Sequence, residues 1–383
     1  MDTQPPPPEP KRGMLYRMFV SIVLALVRSV YRVKTIHAER VPPGGGVLML
    51  SNHVSYVDAM VLASACPRMV RFVMWDVLYK IWWMNGFLRL VGTVPISPTR
   101  AKDAVRSVAE ALKGGGLVCL FPEGQITRHG MVNELRKGYE LMARQGSAQV
   151  LPVWLDGLYG SIFSFQGGRF FKKRPAHLRY PVTVLFGEPI DARAADVATL
   201  RSAMLALSAQ AMMLRTDWRP DSTRRSAIGL RDAEWYRPGD VFWCLEPQGS
   251  VIHGIVHDLA HLLPGVKIIT EAAQAAGAPI VAFCSPESLS RITDTERLIF
   301  CWDADAARIT ELNDARLLRG YWDAASGLLL STEVPTPPMP VGEEALQKGR
   351  KPATLGRLLP GLALDSLTAA CTLDAEGFVV IKA

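Results

Sequence analysis

Apolar and polar positions along this 383-residue chain fall into two kinds of run. Short apolar runs bounded by glycine and proline read as buried strands, and longer stretches with a three-to-four-residue repeat read as helices. The strand-like runs are Val47–Leu50, Arg71–Met74, Val94–Ile96 and Leu117–Phe121, with others near Val150–Trp154 and Val182–Phe186. Helical stretches begin near Val57 and cover Asp76–Val91, Ala101–Lys113 and Glu134–Arg144. Ser97-Pro98-Thr99 opens the third of these and Gly114-Gly115-Gly116 stops it. Strands alternating with helices predict an α/β domain built on a mixed or largely parallel sheet flanked by helices. After about Met213 the texture changes. Residues 216–229 are polar and contain breakers, which predicts a linker. Residues 230–383 carry further strand-like runs (Val241–Leu245, Lys267–Ile269, Ile280–Phe283, Leu298–Cys301) and predict a second, smaller α/β domain.

Residues 1–13 are rich in proline and predict a disordered tail, so the first domain covers 14–215. It opens on an apolar stretch, Met14–Arg28, whose uncharged core between Arg17 and Arg28 is 10 residues long. A membrane-spanning helix needs about 20 apolar residues. The stretch is better suited to lying in a membrane interface with its arginines reaching the headgroups. An ordinary buried first helix is the alternative. A signal peptide fits less well, because no small-x-small cleavage site precedes Arg32 and Lys34.

Charge is unevenly divided. Residues 1–219 hold 28 Lys and Arg against 15 Asp and Glu, a surplus of 13, whereas residues 220–383 hold 15 against 21. A basic first half suits an anionic membrane face, a phosphate headgroup, an acyl-CoA or an acidic acyl carrier protein. No zinc finger, RNP-like or helix-turn-helix signature points to nucleic acid. Within Ser161–Arg179, Phe163, Phe165, Phe170 and Phe171 are interleaved with Arg169, Lys172, Lys173 and Arg174. Such aromatics can dip into lipid while the cations hold phosphates, or the stretch is a surface loop with a basic rim. The six cysteines are scattered without a C-x2-C pair and read as reduced residues of a cytoplasmic protein.

The stretch with the clearest chemistry is Ser51-Asn52-His53-Val54-Ser55-Tyr56-Val57-Asp58, which follows the apolar run Val47–Leu50. His53 falls at a strand's exit and Asp58 in the first turn of the next helix, where a carboxylate suits the positive helix end. A carboxylate folded back onto an imidazole fixes its tautomer and raises its basicity. The pair has the parts of a general base with its orienter. No Gly-x-Ser-x-Gly nucleophile elbow occurs; Cys66 and Cys119 are the thiols left as rival nucleophiles. The bare spacing is weak, since His253 and Asp258 repeat it.

What singles out the first pair is its company. Asn52-His53-x4-Asp58, Gly92–Thr99, Phe121-Pro122-Glu123-Gly124 and Val150–Trp154 occur in that order. Together they resemble the four blocks of the PlsC-like glycerophospholipid acyltransferase superfamily, over roughly residues 15–215. The wording of Phe121–Thr127 and Phe171–Pro175 is similar to the acyltransferase half of the bifunctional 2-acylglycerophosphoethanolamine acyltransferase/acyl-carrier-protein synthetase.

The resemblance implies an α/β acyltransferase fold and a membrane-associated enzyme on the cytoplasmic face of the inner membrane. It implies transfer of a fatty acyl group from acyl-CoA or acyl carrier protein to a lysophospholipid hydroxyl, with no further cofactor and no metal. The acceptor is of the 2-acylglycerophosphoethanolamine or 1-acylglycerol-3-phosphate type. Glycerol-3-phosphate as acceptor, or a non-catalytic lipid- or carrier-binding scaffold, is the alternative. His53 is then the base and Asp58 its orienter, with Asn52, Glu123 and Gly124 in the acceptor-binding blocks. The family places Thr-Arg directly after Glu-Gly, whereas here Gln125-Ile126 intervene before Thr127-Arg128. Arg128 and Arg100 are therefore the two candidates for the phosphate cation.

In the second domain, Gly265–Ile269 and Gly349–Gly361 resemble pieces of a degraded adenylate-forming synthetase. No Ser/Thr/Gly-rich loop with a lysine, and no Walker loop, is present to hold ATP phosphates. His253, His257 and His261 repeat every four residues. On a helix the outer two lie about 12 Å apart, too far to share one ion.

Overall fold

The computed structural model describes residues 14–75, 93–96, 101–166, 170–171, 179–233, 235–237, 239–312, 314, 316–335, 347–367 and 370–382. The Pro-rich tail, the tryptophan-rich run Asp76–Val91 and half of the Gly92–Thr99 block lie outside these residues. The chain divides into two compact units. The first comprises residues 1–126, 135–164 and 171–207; the second comprises 127–134, 165–170 and 208–383.

The first unit is an α/β structure around one mixed sheet. It opens with helix α1 (Met14–Val30), whose lone acid-free first turn and Arg28-bearing last turn match the helix dipole at the C-terminal end. Strand β1 (Tyr31–Ile36) follows without a break. Next come β2 (Val47–Ser51), α2 (Asp58–Ala65), β3 (Val70–Trp75), β4 (Val94–Ile96) and α3 (Ala101–Lys113). The unit continues with β5 (Leu117–Leu120), α4 (Gly138–Gly146), β6 (Gln149–Asp156), β7 (Tyr180–Phe186) and most of α5 (Val197–Met213).

The strand order is β1-β7-β6-β2-β5-β3-β4. Every neighbouring pair is parallel except β6 and β7. Strand β2 is central and all five of its residues are buried. A strand covered on both faces must be apolar at consecutive positions, which is why Val47-Leu48-Met49-Leu50 shows no alternation. Burying each such side chain contributes about 1.5–3 kcal/mol.

Helix α4 begins at Gly138, four residues later than the expected start at Glu134. Residues 127–134 belong to the second unit, and the chain re-enters the first at Leu135. The Arg136 N–H is then hydrogen-bonded to the Pro122 carbonyl at 2.9 Å, and so is spent outside any helix. Strand β6 ends at Asp156 and the chain turns at Gly157, where φ is +89°. A methyl group on Gly157 would lie 2.3 Å from the Pro181 carbonyl oxygen. Gly157→Ala is expected to destabilise the protein by about 1–3 kcal/mol, from left-handed strain and the clash together. A urea midpoint unchanged from the parent would count against this.

The second unit is also α/β. Residues 216–229, expected as a linker, instead run into helix α6 (Ser222–Asp232). Asp221 caps it by accepting the Arg224 N–H, and Ser226, Ala227, Ile228 and Leu230 are buried. The polar start that reads as a linker is thus a cap plus the solvent side of a helix. Beyond it come β8 (Val241–Cys244), α7 (Val251–Leu262), β9 (Lys267–Ile269), β10 (Ile280–Cys284) and β11 (Glu296–Asp303). Helix α8 (Ala306–Glu311) leads to β12 (Leu317–Asp323), β13 (Leu328–Thr332) and β14 (Arg357–Leu358). These strands form a sheet of order β14-β13-β12-β11-β10-β8-β9, parallel from β9 to β12. A hairpin, β15 (Cys371–Leu373) and β16 (Val379–Ile381), completes the unit.

Candidate active site

The candidate site lies in the first unit, in the loop that joins β2 to α2. Asn52 directly follows β2, and both polar atoms of its side chain are engaged by strand β6. Its Nδ2 donates to the Leu155 carbonyl at 2.9 Å and its Oδ1 accepts the Leu155 N–H at 2.7 Å. The amide thereby continues the β2–β6 ladder one position past the last backbone pair, Ser51 with Val153. Asn52 was expected to bind substrate. It is buried with both polar ends engaged by β6, so it anchors the loop.

That anchor presents His53. The His53 Nδ1 lies 2.8 Å from Asp58 Oδ2. The same oxygen accepts the Val54 N–H at 2.7 Å and the Ser55 N–H at 2.9 Å. Three donors on one oxygen make Asp58 an acceptor, so Nδ1 carries the proton and the lone pair sits on Nε2. Asp58 is fully buried while the His53 side chain keeps 21% of its exposure, so the imidazole alone faces outward. Burial pushes the Asp58 carboxyl above its ordinary value, and the bonds from His53, Ser55 and Val54 pull the other way.

Two residues of the Phe121–Gly124 block complete the mounting. The His53 ring stacks on Phe121 with centroids 4.0 Å apart and planes 12° from parallel. The His53 backbone N–H donates to Glu123 Oε1 at 3.1 Å. Glu123, expected as an acceptor ligand, is buried and holds the His53 loop. Gly124 sits at φ +74° and its N–H bonds the Phe121 carbonyl at 3.0 Å, so the block is a tight turn.

Beside the histidine the surface is aromatic. The Tyr56 N–H bonds the Phe163 carbonyl at 3.2 Å, and the Phe171 N–H bonds the Ile162 carbonyl at 2.8 Å. The Tyr56 and Phe171 rings stack with centroids 5.6 Å apart, and Phe163 meets Phe171 edge-on. Tyr56 and Phe171 are exposed. On α1, Met18, Ile22, Leu26 and Val30 recur every four residues and are exposed as well. Arg28 of this helix donates to the Ser64 carbonyl of α2. Among the described residues no helix is long and apolar enough to cross a membrane.

Arg128 belongs to the second unit, where its N–H bonds Gln347 and its guanidinium lies 4.7 Å from the Phe165 ring centre. Arg100, Arg169, Lys172, Lys173 and Arg174 lie outside the described residues. Of the rival nucleophiles, Cys119 is buried and its thiol is pushed well above its ordinary value by desolvation, which suits a core residue rather than a thiolate. The rings of His253, His257 and His261 stack along α7 with centroids 5.6 and 5.0 Å apart. Sequence reasoning missed Phe121 as the ring's platform and Arg136 as the neighbour of Gly124. No local signal marks either, because both roles depend on where the chain returns.

An oriented imidazole at a strand exit, with a buried carboxylate behind it and an apolar surface beside it, has the parts of a general base. Residues 32–156 match the model of the Acyltransferase family and contain Asn52, His53, Asp58, Phe121 and Glu123. The chain is 26% identical over 131 residues to the chloroplastic 1-acyl-sn-glycerol-3-phosphate acyltransferase LPAT1 of Arabidopsis thaliana, over 33% of this chain and 36% of that protein. It is 25% identical over 193 residues to a probable 1-acyl-sn-glycerol-3-phosphate acyltransferase of Mycoplasma pneumoniae, over 48% of this chain and 70% of that one. The chain thus spans about a third of the first relative's length. The crystal structure of the 1-acyl-sn-glycerophosphate acyltransferase PlsC from Thermotoga maritima aligns with a TM-score of 0.44 at 21% identity, over 55% of this chain and 86% of that one. The similarity to acyltransferases thus falls on residues 32–156 of the first unit.

Proposed function

We propose that the protein is a lysophospholipid O-acyltransferase that works as a peripheral enzyme at a membrane surface. The observation that carries this reading is the His53–Asp58 pair, 2.8 Å apart and backed by a buried carboxylate, within the segment that matches the acyltransferase model. His53 Nε2 takes the proton of the acceptor hydroxyl as that oxygen attacks the thioester carbonyl. The tetrahedral intermediate then expels the thiolate, which receives the proton from His53. No covalent acyl-protein is required, so the site needs no nucleophilic side chain. A positioned base of this kind contributes about 10²- to 10⁴-fold.

The acceptor class is a lysophospholipid of the 1-acylglycerol-3-phosphate or 2-acylglycerophosphoethanolamine type, and the acyl donor is acyl-CoA or acyl carrier protein. The relatives' names support the first acceptor. The exposed row Met18, Ile22, Leu26 and Val30 on α1, together with exposed Tyr56 and Phe171, supports contact with lipid. The basic balance of residues 1–219 supports an anionic cytoplasmic leaflet. The second unit is read as a remnant of an adenylate-forming synthetase, from its Gly265–Ile269 and Gly349–Gly361 stretches. Lys348 and Lys351 are engaged by Glu376 and Asp374, which favours a structural use of that region over adenylation.

The test is acyl transfer by the full-length protein in anionic vesicles. Labelled acyl-CoA or acyl carrier protein is offered with lysophosphatidate, lysophosphatidylethanolamine and glycerol-3-phosphate in turn. Transfer to one of the two lysolipids is expected. Acylation of none of them with either donor would remove the reading, and acylation of glycerol-3-phosphate alone would replace its acceptor.

A further inference from the structure

We propose that Arg136 is the cation that receives the acceptor's phosphate, taking the place for which Arg128 and Arg100 are the sequence candidates. The inference rests on the acyl-transfer reading and assigns the residue that sets its preference for a phosphorylated acceptor. The Phe121–Gly124 turn lies against the His53 loop, since Glu123 accepts the His53 backbone N–H, so a cation at that turn is placed for a phosphate bound beside His53. Acceptor hydroxyl and phosphate sit on adjacent or next-adjacent carbons of one glycerol, so base and cation must be close.

Arg136 meets that requirement by the path of the chain. After Ile126 the chain leaves the first unit, and it returns at Leu135. The Arg136 N–H then bonds the Pro122 carbonyl at 2.9 Å, which pins the returning segment to the turn. The Arg136 side chain lies directly against Gly124: a methyl group there would stand 3.3 Å from Nε and 3.7 Å from Cδ. Glycine at φ +74° both makes the turn and leaves the room in which the guanidinium lies. Arg136 is exposed. A guanidinium beside a glycine turn, with its donors facing solvent, has the form that binds phosphate bidentately. Arg128, by contrast, is held over Phe165 within the second unit.

The experiment uses full-length parent, Arg136→Gln and Arg136→Lys in vesicles, with an acyl thioester donor. The acceptors are lysophosphatidate and a monoacylglycerol, which has the hydroxyl without the phosphate. Loss of a charge-assisted hydrogen bond is expected to raise KM for lysophosphatidate about 10- to 100-fold in Arg136→Gln, with kcat little changed. Arg136→Lys should recover part of the loss, since it keeps the charge without the fork. KM for the monoacylglycerol should not respond.

An unchanged lysophosphatidate KM in Arg136→Gln overturns the assignment. So does an equal rise for both acceptors, or a rise in Arg128→Gln that Arg136→Gln lacks. A parent that transfers to neither acceptor, nor to lysophosphatidylethanolamine, sinks the acyl-transfer reading instead. The phosphate site is then tested by calorimetry, in which parent and Arg136→Gln must differ in binding lysophosphatidate.

Discussion

Alanine at position 53 is expected to lower acyl transfer by about 10²- to 10⁴-fold while leaving the protein folded. The ring is partly exposed and packs on one face of Phe121, so its loss removes little of the core. Transfer at the parental rate, with the circular dichroism spectrum retained, would end the general-base mechanism. The neighbouring carboxylate sharpens the test. In Asp58→Ala the Val54 and Ser55 amides lose their acceptor inside the protein, the loop loosens, and the loss should approach that of His53→Ala.

Asp58→Asn should be milder. Two backbone donors and the ring converge on Oδ2, so an amide oxygen takes that place and the histidine tautomer survives. What goes is the negative charge that faces the imidazolium during transfer, a cost of about 10- to 100-fold. Were Asn and Ala at position 58 equally damaging, the placement of the tautomer by that oxygen would be wrong.

The second large effect concerns acid stability and lies in the other unit. His129 is fully buried, and its Nδ1 accepts the Met131 N–H at 3.2 Å. Its pKa is pushed down to about 3, first by burial and then by the Arg357 guanidinium, against a smaller opposing pull from Asn133. Arg357 cannot easily withdraw. It is itself buried, donates to the Val132 carbonyl and lies 4.1 Å from the Phe378 ring centre.

The unfolded chain binds a proton on this histidine near pH 6.5, whereas the folded chain does so only near pH 3. Stability from this group is therefore complete above about pH 6.5 and is lost progressively as pH falls toward 3. At roughly 1.4 kcal/mol per pH unit, the loss reaches about 5 kcal/mol by the acid end. His129→Asn should lower stability at neutral pH but flatten its fall between pH 6.5 and 4, measured by urea unfolding at both values. Parallel pH curves for parent and variant would show that His129 does not carry the acid lability.

Much of the first unit is legible in the chain because its central strands are buried on both faces. Val47–Leu50 and Leu117–Leu120 stand out as apolar runs between breakers, and they pair in parallel register. Strand β1 was missed, since Tyr31-Arg32-Val33-Lys34-Thr35-Ile36 alternates with cations and follows a helix without a breaker. The second unit was legible only in its parallel core. Strands β12 to β14 were not, because their hydrogen-bonding partners come from distant segments such as Arg357–Leu358. Residues 216–229 misled for a related reason: a capped helix with its polar side out reads like a linker when its buried face is only Ala227, Ile228 and Leu230.

Sequence alone determined the chemistry at the strand exit. His53 and Asp58 are five positions apart across one loop, and a strand end followed by a helix start leaves them little choice but to meet. Tertiary structure decided everything that reaches this pair from elsewhere. Asn52 turned from ligand to anchor because β6 arrives beside it, and Glu123 turned from ligand to clamp because the β5 turn delivers it to the His53 amide. Arg136 came to Gly124 because the chain leaves and returns between them. Local spacing fixes contacts within a turn or two, whereas contacts closed by a long loop depend on which surfaces the rest of the chain has already buried.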